Sequence, residues 1–491
     1  MKLFEPNLVL PLAFSYNERG WQGFLTTFTD GVDQRKINFV YGIATNPVTG
    51  KTTPYIEKRQ GVTVGNGSLG TSGQTAYLVS RGAGKTGNAL TDMWVFSVNS
   101  NDIRASDTST TTVIATAAGY APVYADMTII SGTETLVVQL RNASFAQTVW
   151  FSSAIGTFTQ ISDAEFTALT VKGKMEFMDG YAFALASDNF IYNSDINSLA
   201  NWTGSPNRIQ KQIVQDVPRG LMRLGKQILA VGDKTVEVFA NNGNPSGSPL
   251  VTIPSLFQRL GLATVVDVVG RTNYYATVGG KIYFVGTTSA TGMWSFDGSQ
   301  FNKVSNSFID KILTNEAGDV VTSFSVRGAQ GVAVAMDGPS DATQRWLVFF
   351  PQWNEWFEFN STVFRPANSD PFFLGVGSNQ HKLYSFSGSE TWQDEGTNYT
   401  ATLQFKLPSN GNARKSMGMC GVIGDTARSA SSLSVEFSDD DWQTYTTARN
   451  IDMTSKQKKM TKCGSYFDRG VRLSQTANIG LRLEKFVAKV G

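Results

Sequence analysis

The amino-acid sequence predicts an all-β protein, in which a β-propeller of six or seven blades is joined to a β-sandwich-like platform domain formed by the two termini. Three observations lead to this prediction. Short apolar and aromatic segments recur along the chain, glycine-containing turns lie beside them, and the C-terminal segments alternate between apolar and polar residues. The composition agrees, because 47 of the 491 residues are glycine and only 17% are charged, which is typical of short strands and tight turns.

The N-terminal segment, residues 1–60, is expected to add strands to the platform. Its apolar stretch LVLPLAF has some character of a signal peptide, but Glu5 and Pro6 precede it and no small-residue cleavage site follows. No apolar run approaches the roughly 18–20 residues that cross a bilayer. We therefore expect a soluble protein that is made in a cytosol.

The middle of the chain, residues 61–395, carries the repeat that predicts the propeller. Seven strand-like segments recur at a mean spacing of about 48 residues, close to the roughly 40–50 residues of a four-stranded blade. A set of stacked sandwiches with similar strand lengths is the alternative. The persistence of the period through seven segments favours the propeller. The segments are centred on Trp94, Val138, Tyr192, Val236, Tyr283, Trp346 and Tyr384.

Turns and one helix complete this region. Asp179-Gly180, Gly279-Gly280 and Asp297-Gly298 can supply the positive φ angles that two-residue hairpin turns require. A helix is predicted over Ser305–Glu316, where apolar residues recur at helical spacing and either Ser305 or Ser307 is a candidate N-cap. Because it lies in the longest gap of the period, we interpret it as an insertion between blades.

Residues 396–491 are predicted to form the C-terminal part of the platform. The segments ATLQFKL, LSVEFS and NIGLRLEKFVAKV alternate as the strands of an antiparallel sheet do. A basic stretch between these strands is expected on a loop, which is either solvated or contacts nucleic acid or an acidic partner. Its lysines are Lys456, Lys458, Lys459 and Lys462.

The charge balance limits the kind of partner. The chain has 42 Lys+Arg and 40 Asp+Glu, a formal net charge of +2. This balance excludes a partner held mainly by bulk positive charge, as in a polybasic DNA-binding protein.

Few residues are available for catalysis at neutral pH. His381 is the only histidine, so a histidine zinc site, a Ser-His-Asp triad or a Cys-His dyad would have to use it. Cys420 and Cys463 are the only cysteines, and they are compatible with a single bridge or with two reduced thiols, of which we expect the latter. We therefore expect no enzymatic activity, no cofactor and no metal.

Two motifs are similar to known functional loops. The segment Val79–Thr86 ends like a phosphate-binding P-loop, but Val79 stands at its first glycine, and turn and strand patterns follow instead of the required helix. We interpret it as a hairpin loop. The segment Ser438–Tyr445 resembles the Asp-box hairpin of sialidases and other propellers, with Trp442 at the glycine position, and in that hairpin the aspartate stabilises a turn. A glycosidase would further need two carboxylates roughly 5–10 Å apart, which distant residues could provide.

Several short patterns also occur in a fixed order along nearly the whole chain. They are Asp33–Asn38, Arg59–Thr63, Tyr192–Asn197 followed by Trp202, Gly232–Phe239, Gln258–Gly261 and Phe308–Leu313. Their order and spacing resemble the tail-nozzle family of short-tailed bacteriophages, whose members are also called packaged-DNA stabilisation or tail-hub proteins. One departure is Gln60, which stands where the family usually has proline. We refer to eight positions that carry the resemblance as the signature residues: Gln34, Arg35, Asn38, Gly61, Trp202, Thr235, Glu237 and Phe239.

The resemblance implies a propeller-bearing subunit of a homohexameric ring in the virion, assembled in the cytoplasm of a bacterial host. Such a nozzle would dock below the portal and head–tail adaptor rings, continue the channel for double-stranded DNA, and contact a tail needle or fibre and tailspikes. It would retain packaged DNA, conduct it at ejection without sequence preference, and take no small-molecule substrate. The family has no known catalytic residues.

The composition is compatible with this function, because a near-neutral channel wall would avoid binding phosphates tightly while DNA slides past. Two other functions remain open at this stage. One is a carbohydrate-binding or glycan-degrading propeller, which predicts an aromatic platform and a carboxylate pair. The other is a propeller scaffold for protein partners.

Overall fold

In the computed structural model, β-strands dominate the residues that the structure describes. Two α-helices occur among those residues, α1 (Ala164–Thr167) and α2 (Ser307–Asn315), and no helix there is long and apolar enough to cross a membrane. The predicted all-β class is confirmed. The described residues are 8–12, 34–45, 50–68, 75–80, 93–99, 102–106, 111–116, 120–142, 147–152, 159–203, 207–244, 247–263, 273–289, 291–315, 320–336, 344–366, 372–375, 382–386, 391–407, 413–440 and 442–491.

Five strands precede the repeated region, and four antiparallel sheets of four consecutive strands follow them. The preceding strands are β1 (Leu8–Pro11), β2 (Gln34–Ile37), β3 (Phe39–Thr45), β4 (Thr52–Lys58) and β5 (Val62–Ser68). The first two sheets are β6 (Thr75–Ser80), β7 (Met93–Asn99), β8 (Asp102–Ser106), β9 (Thr111–Thr116) and β10 (Tyr120–Ile130), β11 (Thr133–Asn142), β12 (Gln147–Ser152), β13 (Thr159–Gln160). The next two are β14 (Glu176–Met178), β15 (Tyr181–Leu185), β16 (Phe190–Asn193), β17 (Arg208–Gln210) and β18 (Pro218–Leu224), β19 (Gln227–Gly232), β20 (Val236–Asn241), β21 (Leu250–Thr252).

The repeat continues through a fifth sheet, a hairpin and a last sheet. The fifth sheet contains β22 (Gly261–Leu262), β23 (Tyr275–Val278), β24 (Lys281–Thr287), β25 (Thr291–Phe296) and β26 (Phe301–Lys303). After helix α2 come β27 (Val320–Val326), β28 (Ala329–Ala335), β29 (Gln344–Phe350), β30 (Glu355–Ser361), β31 (Phe364–Pro366), β32 (Phe372–Gly375) and β33 (Lys382–Phe386). The last sheet has the order β31-β32-β33-β5, so a strand that precedes the repeated region joins the sheet that ends it.

The spacing seen in the sequence corresponds to a repeat of sheets. All seven predicted segment centres lie in strands, and no two of them share a sheet. Asp179-Gly180 and Gly279-Gly280 form two-residue turns, and all four residues have positive φ angles between 52° and 84°. These two turns confirm the prediction.

Two local predictions need correction. Asp297-Gly298 belongs to a four-residue turn, because Phe296 pairs with Phe301 and the Asp297 carboxylate accepts the Ser299 and Gln300 amides. Helix α2 forms within the predicted range, but its cap is neither predicted serine. The Asn306 side-chain oxygen accepts the Ile309 amide at 3.0 Å.

The chain divides into two compact units. Unit 1 contains Met1–Thr63, Arg345–Ser361 and Phe386–Gly491, and unit 2 contains Val64–Gln344 and Thr362–Ser385. The boundaries predicted above, 1–60, 61–395 and 396–491, place strands β29 and β30 in the propeller, whereas the structure groups them with the termini. The reason is a parallel pairing between β2 and β30, with Ile37 opposite Glu358.

The later strands of unit 1 are β34 (Gln393–Asp394), β35 (Thr397–Asn398), β36 (Ala401–Lys406), β37 (Lys415–Gly424), β38 (Ser432–Ser438), β39 (Arg449–Asp452), β40 (Lys459–Thr461), β41 (Ser465–Tyr466), β42 (Gly470–Gln475) and β43 (Arg482–Val490). Unit 1 contains two large sheets, as the predicted sandwich-like platform requires. One has the order β3-β4-β43-β37-β40, with β1 beside β43 and β41 beside β37; the other has the order β29-β30-β2-β36-β42-β38-β39 within this unit. The ring centroids of Phe405 on β36 and Phe486 on β43, one from each sheet, lie 5.2 Å apart, and both rings are buried.

Candidate functional site

Three consecutive residues of β2 attach this strand to its neighbours in unit 1. Gln34 pairs through its backbone with Phe405 on β36. Arg35 binds the carboxylate of Glu358 on β30 through two bonds of 2.7 and 2.5 Å, and Lys36 binds Glu355 at 3.0 Å. Because the two carboxylates are fixed on β30, the two ion pairs favour a single register for the parallel pairing.

The next signature residues surround a buried guanidinium, that of Arg59, which has no exposed surface. Its Nη1 and Nη2 donate to the two carboxylate oxygens of Asp394 at 2.9 and 2.7 Å. Nε donates to the Asn38 side chain at 3.0 Å, and the remaining donors reach the carbonyls of Gln60 and Asn360 at 3.0 and 3.2 Å. All five N–H groups of the guanidinium are therefore bonded.

The environment of Arg59 keeps it charged. Burial alone would lower the pKa of Arg59, but the charge of Asp394, the electrostatic interaction with Tyr399 and the bond to Asp394 outweigh it and raise that pKa. The guanidinium also lies 3.9 Å from the centroid of the Tyr399 ring, and Ser361 donates to Asp394 at 2.9 Å. We call this set the Arg59 cluster: Asn38, Arg59, Asn360, Ser361, Asp394 and Tyr399.

Asn38 owes its residue type to this cluster, and Gly61 owes its own to the neighbouring backbone. Asn38 has a φ angle of 58°, a left-handed conformation that asparagine tolerates, and its side chain bonds Asn360 and the carbonyl of Thr400. Gly61 passes so close to Gln393 that an added Cβ would lie 2.0 Å from the Gln393 carbonyl oxygen. Both signature positions are explained by backbone geometry and packing.

Lys58, next to Arg59, is a second buried cation. Its Nζ donates to the carbonyl of Ala477 at 2.8 Å and lies 4.6 Å from the centroid of the Tyr399 ring. Burial, and then the charge of Arg59, lower the pKa of Lys58 from 10.5 to about 8. Lys58 borders a cavity of about 380 Å³ whose other walls come from Glu57, Trp392 and residues 425–429 and 478–482.

Two signature residues of unit 2 belong to a second buried polar group. The carboxylate of Glu237 accepts the backbone amides of Gln212 and Ile213 at 3.0 and 3.1 Å. Thr235 accepts a 2.6 Å bond from Nζ of Lys211, whose charge lies 3.4 Å from Asp216. Burial would raise the pKa of Asp216, but bonds from Lys234 and Thr235, together with the charge of Lys211, lower it. These groups hold the connection between β17 and β18 against β20.

The other two signature residues of unit 2 pack in hydrophobic cores. Phe239 is fully buried in a cluster with Leu221 and Ile228. The Trp202 ring lies 4.7 Å from that of Phe166, and its indole N–H donates to the carbonyl of Leu199 at 3.0 Å.

The four lysines of the basic stretch have different surroundings. Lys456 and Lys462 are exposed, as predicted for a loop. Lys459 begins β40, where it pairs with Gly421, and Lys458 is buried with its Nζ donating to Thr426 at 3.0 Å. Lys458 is therefore a structural residue, because a buried ammonium is retained only where it finds a bonding partner.

The Asp-box-like segment stabilises a turn, as its resemblance implies. The Asp440 carboxylate accepts the Thr444 amide at 2.9 Å and the Ser438 hydroxyl at 2.8 Å. Trp442, at the glycine position of the motif, has a φ angle of 70°. His381 and residues 81–86 of the P-loop-like segment lie outside the described residues, and the described part of the chain contains no group of three or more His, Cys, Asp or Glu that could hold a metal ion.

The partners that the signature residues and Arg59 bond could not be predicted from the sequence. Glu358, Asp394 and Asn360 lie 301 to 335 residues from the side chains that they bond, so no local pattern links them. One feature of the sequence did indicate buried ion pairs. Glu355 and Glu358 interrupt the aromatic strand EWFEF, and a carboxylate in a buried strand requires a cationic partner.

Comparisons with known proteins do not identify this chain. No protein-family model and no curated protein sequence matches it. Among solved structures, a chain of a mitotic checkpoint complex covers 67% of this chain and 95% of its own length, at 10% identity and a TM-score of 0.38. An exo-β-1,3-galactanase from Phanerochaete chrysosporium covers 87% and 100%, at 8% identity and a TM-score of 0.28. The CNH domain of AfRom2 covers 67% and 99%, at 9% identity and a TM-score of 0.36. Similarities of this size carry no functional argument.

The lowered pKa of Lys58 predicts a pH dependence of stability. Between about pH 8 and 10.5 the unfolded chain binds the Lys58 proton more strongly than the folded chain, so the contribution of Lys58 to the free energy of unfolding rises with pH there. From pH 8 to 10 we expect Lys58→Met to lose about 2 kcal/mol of this rise relative to the wild type. Denaturant unfolding across this range measures it, with Lys456→Met at an exposed position as the control. Parallel curves for the wild type and Lys58→Met would contradict the prediction.

Proposed function

We propose that this chain is the nozzle subunit of a short bacteriophage tail, a structural virion protein that continues the DNA channel below the portal and adaptor rings. It retains packaged DNA and conducts it at ejection. The observation that carries the proposal is the position of the signature residues. Those whose side chains the structure describes lie in buried, mutually bonded groups or hydrophobic cores, apart from the half-buried Arg35, which is ion-paired.

The same observation supports a non-enzymatic protein. Residues that carry the resemblance to an enzyme family would be expected to converge on an accessible cleft, with groups poised to transfer protons. Here Asp394 and Glu237 are each occupied by several internal bonds. We propose that the chain has no catalytic residues, no cofactor and no metal, and that its buried charges serve rigidity.

The proposed partners follow from the same assignment. The chain forms a homohexameric ring, whose closed axis requires two different complementary surfaces on each subunit. The ring contacts the head–tail adaptor on one side and a tail needle or fibre and tailspikes elsewhere, and double-stranded DNA passes through it. In the basic stretch, Lys456 and Lys462 are the exposed candidates for a contact with DNA or a partner.

Electron microscopy of the purified full chain, alone and with adaptor-bearing heads, tests the proposed assembly. We expect rings with six-fold symmetry and an axial channel, which attach to the heads. Isolated single subunits at all concentrations and in the presence of heads would contradict the proposal. Specific binding or hydrolysis of a glycan, abolished by substitution of one carboxylate, would favour the carbohydrate-active alternative.

The near-neutral charge predicts weak binding of duplex DNA with a shallow salt dependence. A channel that lets DNA slide should displace few counterions, so the slope of log K against log[salt] should stay below about 3 in magnitude. The double variant Lys456→Ala/Lys462→Ala should reduce this slope by at most about 2, one for each lysine that contacts a phosphate. A steep slope in the wild type would indicate a channel that grips DNA and would contradict the proposal.

A further inference from the structure

The two cysteines of the chain lie side by side inside unit 1. Cys420 is on β37 and Cys463 follows β40, the strand that pairs with β37. Both are free thiols and both are buried, and their sulfur atoms are 3.6 Å apart. A disulfide bond is about 2.05 Å long, so the sulfurs need to approach by only about 1.5 Å, which small side-chain rotations can supply.

The backbone around the pair is well held. Beyond the β37–β40 pairing, the Cys463 amide donates to the carbonyl of Met417 at 3.0 Å. Arg449 donates to the carbonyls of Thr461 and Lys462 at 2.6 and 3.0 Å, and Arg469 donates to the carbonyl of Cys463. These bonds keep the two thiols together without a covalent bond between them.

The two thiols differ in reactivity. The hydrogen bond between the sulfurs and the nearby Arg449 and Arg469 charges lower the pKa of Cys463 to about 7, although burial opposes this. The same hydrogen bond and burial raise the pKa of Cys420. Cys463 retains 5% of its surface exposed and Cys420 none. These interactions favour the thiolate of Cys463 over that of Cys420, and Cys463 also lies closer to solvent; both conditions favour reactivity.

We propose that Cys420 and Cys463 are a redox-active dithiol, which hydrogen peroxide converts into an intramolecular disulfide. The Cys463 thiolate attacks one peroxide oxygen; the O–O bond breaks, and a sulfenic acid and hydroxide form. The Cys420 thiol then attacks the sulfenic sulfur; the S–S bond forms, the S–O bond breaks, and the hydroxyl group leaves with the Cys420 proton as water. In total, two thiols lose two electrons and one peroxide becomes two waters.

The disulfide would raise the thermal stability of unit 1. It links residues 43 positions apart and encloses β38, β39 and the basic stretch in one covalent loop. Closing a loop of this size reduces the entropy of the unfolded chain, so oxidation should raise the thermal midpoint of unit 1 by several degrees. This inference does not depend on the proposed function.

The experiment treats the purified full chain with hydrogen peroxide, removes the oxidant and titrates thiols in guanidinium with Ellman's reagent. We expect both thiols to disappear, the intact mass to fall by two hydrogen atoms, and a non-reducing peptide map to show Cys420 joined to Cys463. A reductant should restore both thiols. The matched control is Cys420→Ser, in which Cys463 should stop at a sulfenic acid that dimedone traps. In Cys463→Ser, Cys420 should lose its thiol at least about tenfold more slowly.

Three results would overturn the proposal. The first is two intact thiols after a dose of hydrogen peroxide that oxidises a free cysteine standard. The second is a disulfide between two chains instead of within one. The third is direct formation of a sulfinic acid with no disulfide. The measurements on the wild type decide between these and the expected result even if the serine variants fail to fold.

Discussion

The guanidinium of Arg59, fully withdrawn from water, holds together parts of unit 1 that are far apart along the chain. It bonds Asn38 from the N-terminal strands, Asn360 from the end of β30 and Asp394 from the start of the C-terminal segment. Removing an arginine and an aspartate from water costs several kcal/mol for each ion, and only complete bonding offsets this. Since all five guanidinium donors are bonded, the segments are fixed in one arrangement.

Unit 2 also contains bonded buried charges, but these join residues that are closer together along the chain. Lys211, Asp216, Thr235 and Glu237 form a buried polar group that fixes a connection between two sheets. A chain in which charged residues are only 17% of the total thus places several of them inside, where they determine geometry. Fewer charges then remain for the surface, which agrees with the weak, sliding contact with DNA that the proposed nozzle requires.

Local chemistry made much of the fold predictable. The aromatic and apolar segments that recur along the chain fell in strands of separate sheets, and Gly279-Gly280 formed its turn because glycine adopts positive φ angles freely. The pairing of β2 with β30 could not be predicted from the sequence, since parallel strands separated by some 320 residues share no local signal. For the same reason, the sequence showed Arg59 only as one residue of a family-like motif, and no local pattern marked Asp394 as its partner. The burial of Lys458 was missed because a run of lysines usually indicates a solvated loop.

The most direct measurement is a double-mutant cycle on the Arg59–Asp394 pair, with Arg59→Met, Asp394→Leu and the double variant compared by denaturant unfolding. Each single substitution leaves one buried charge unpaired and should cost about 3–5 kcal/mol. The double variant removes both charges, so its loss should be smaller than the sum of the two by several kcal/mol. If instead the two losses add to within about 0.5 kcal/mol, Arg59 and Asp394 are not coupled, and this buried pair does not hold unit 1 together.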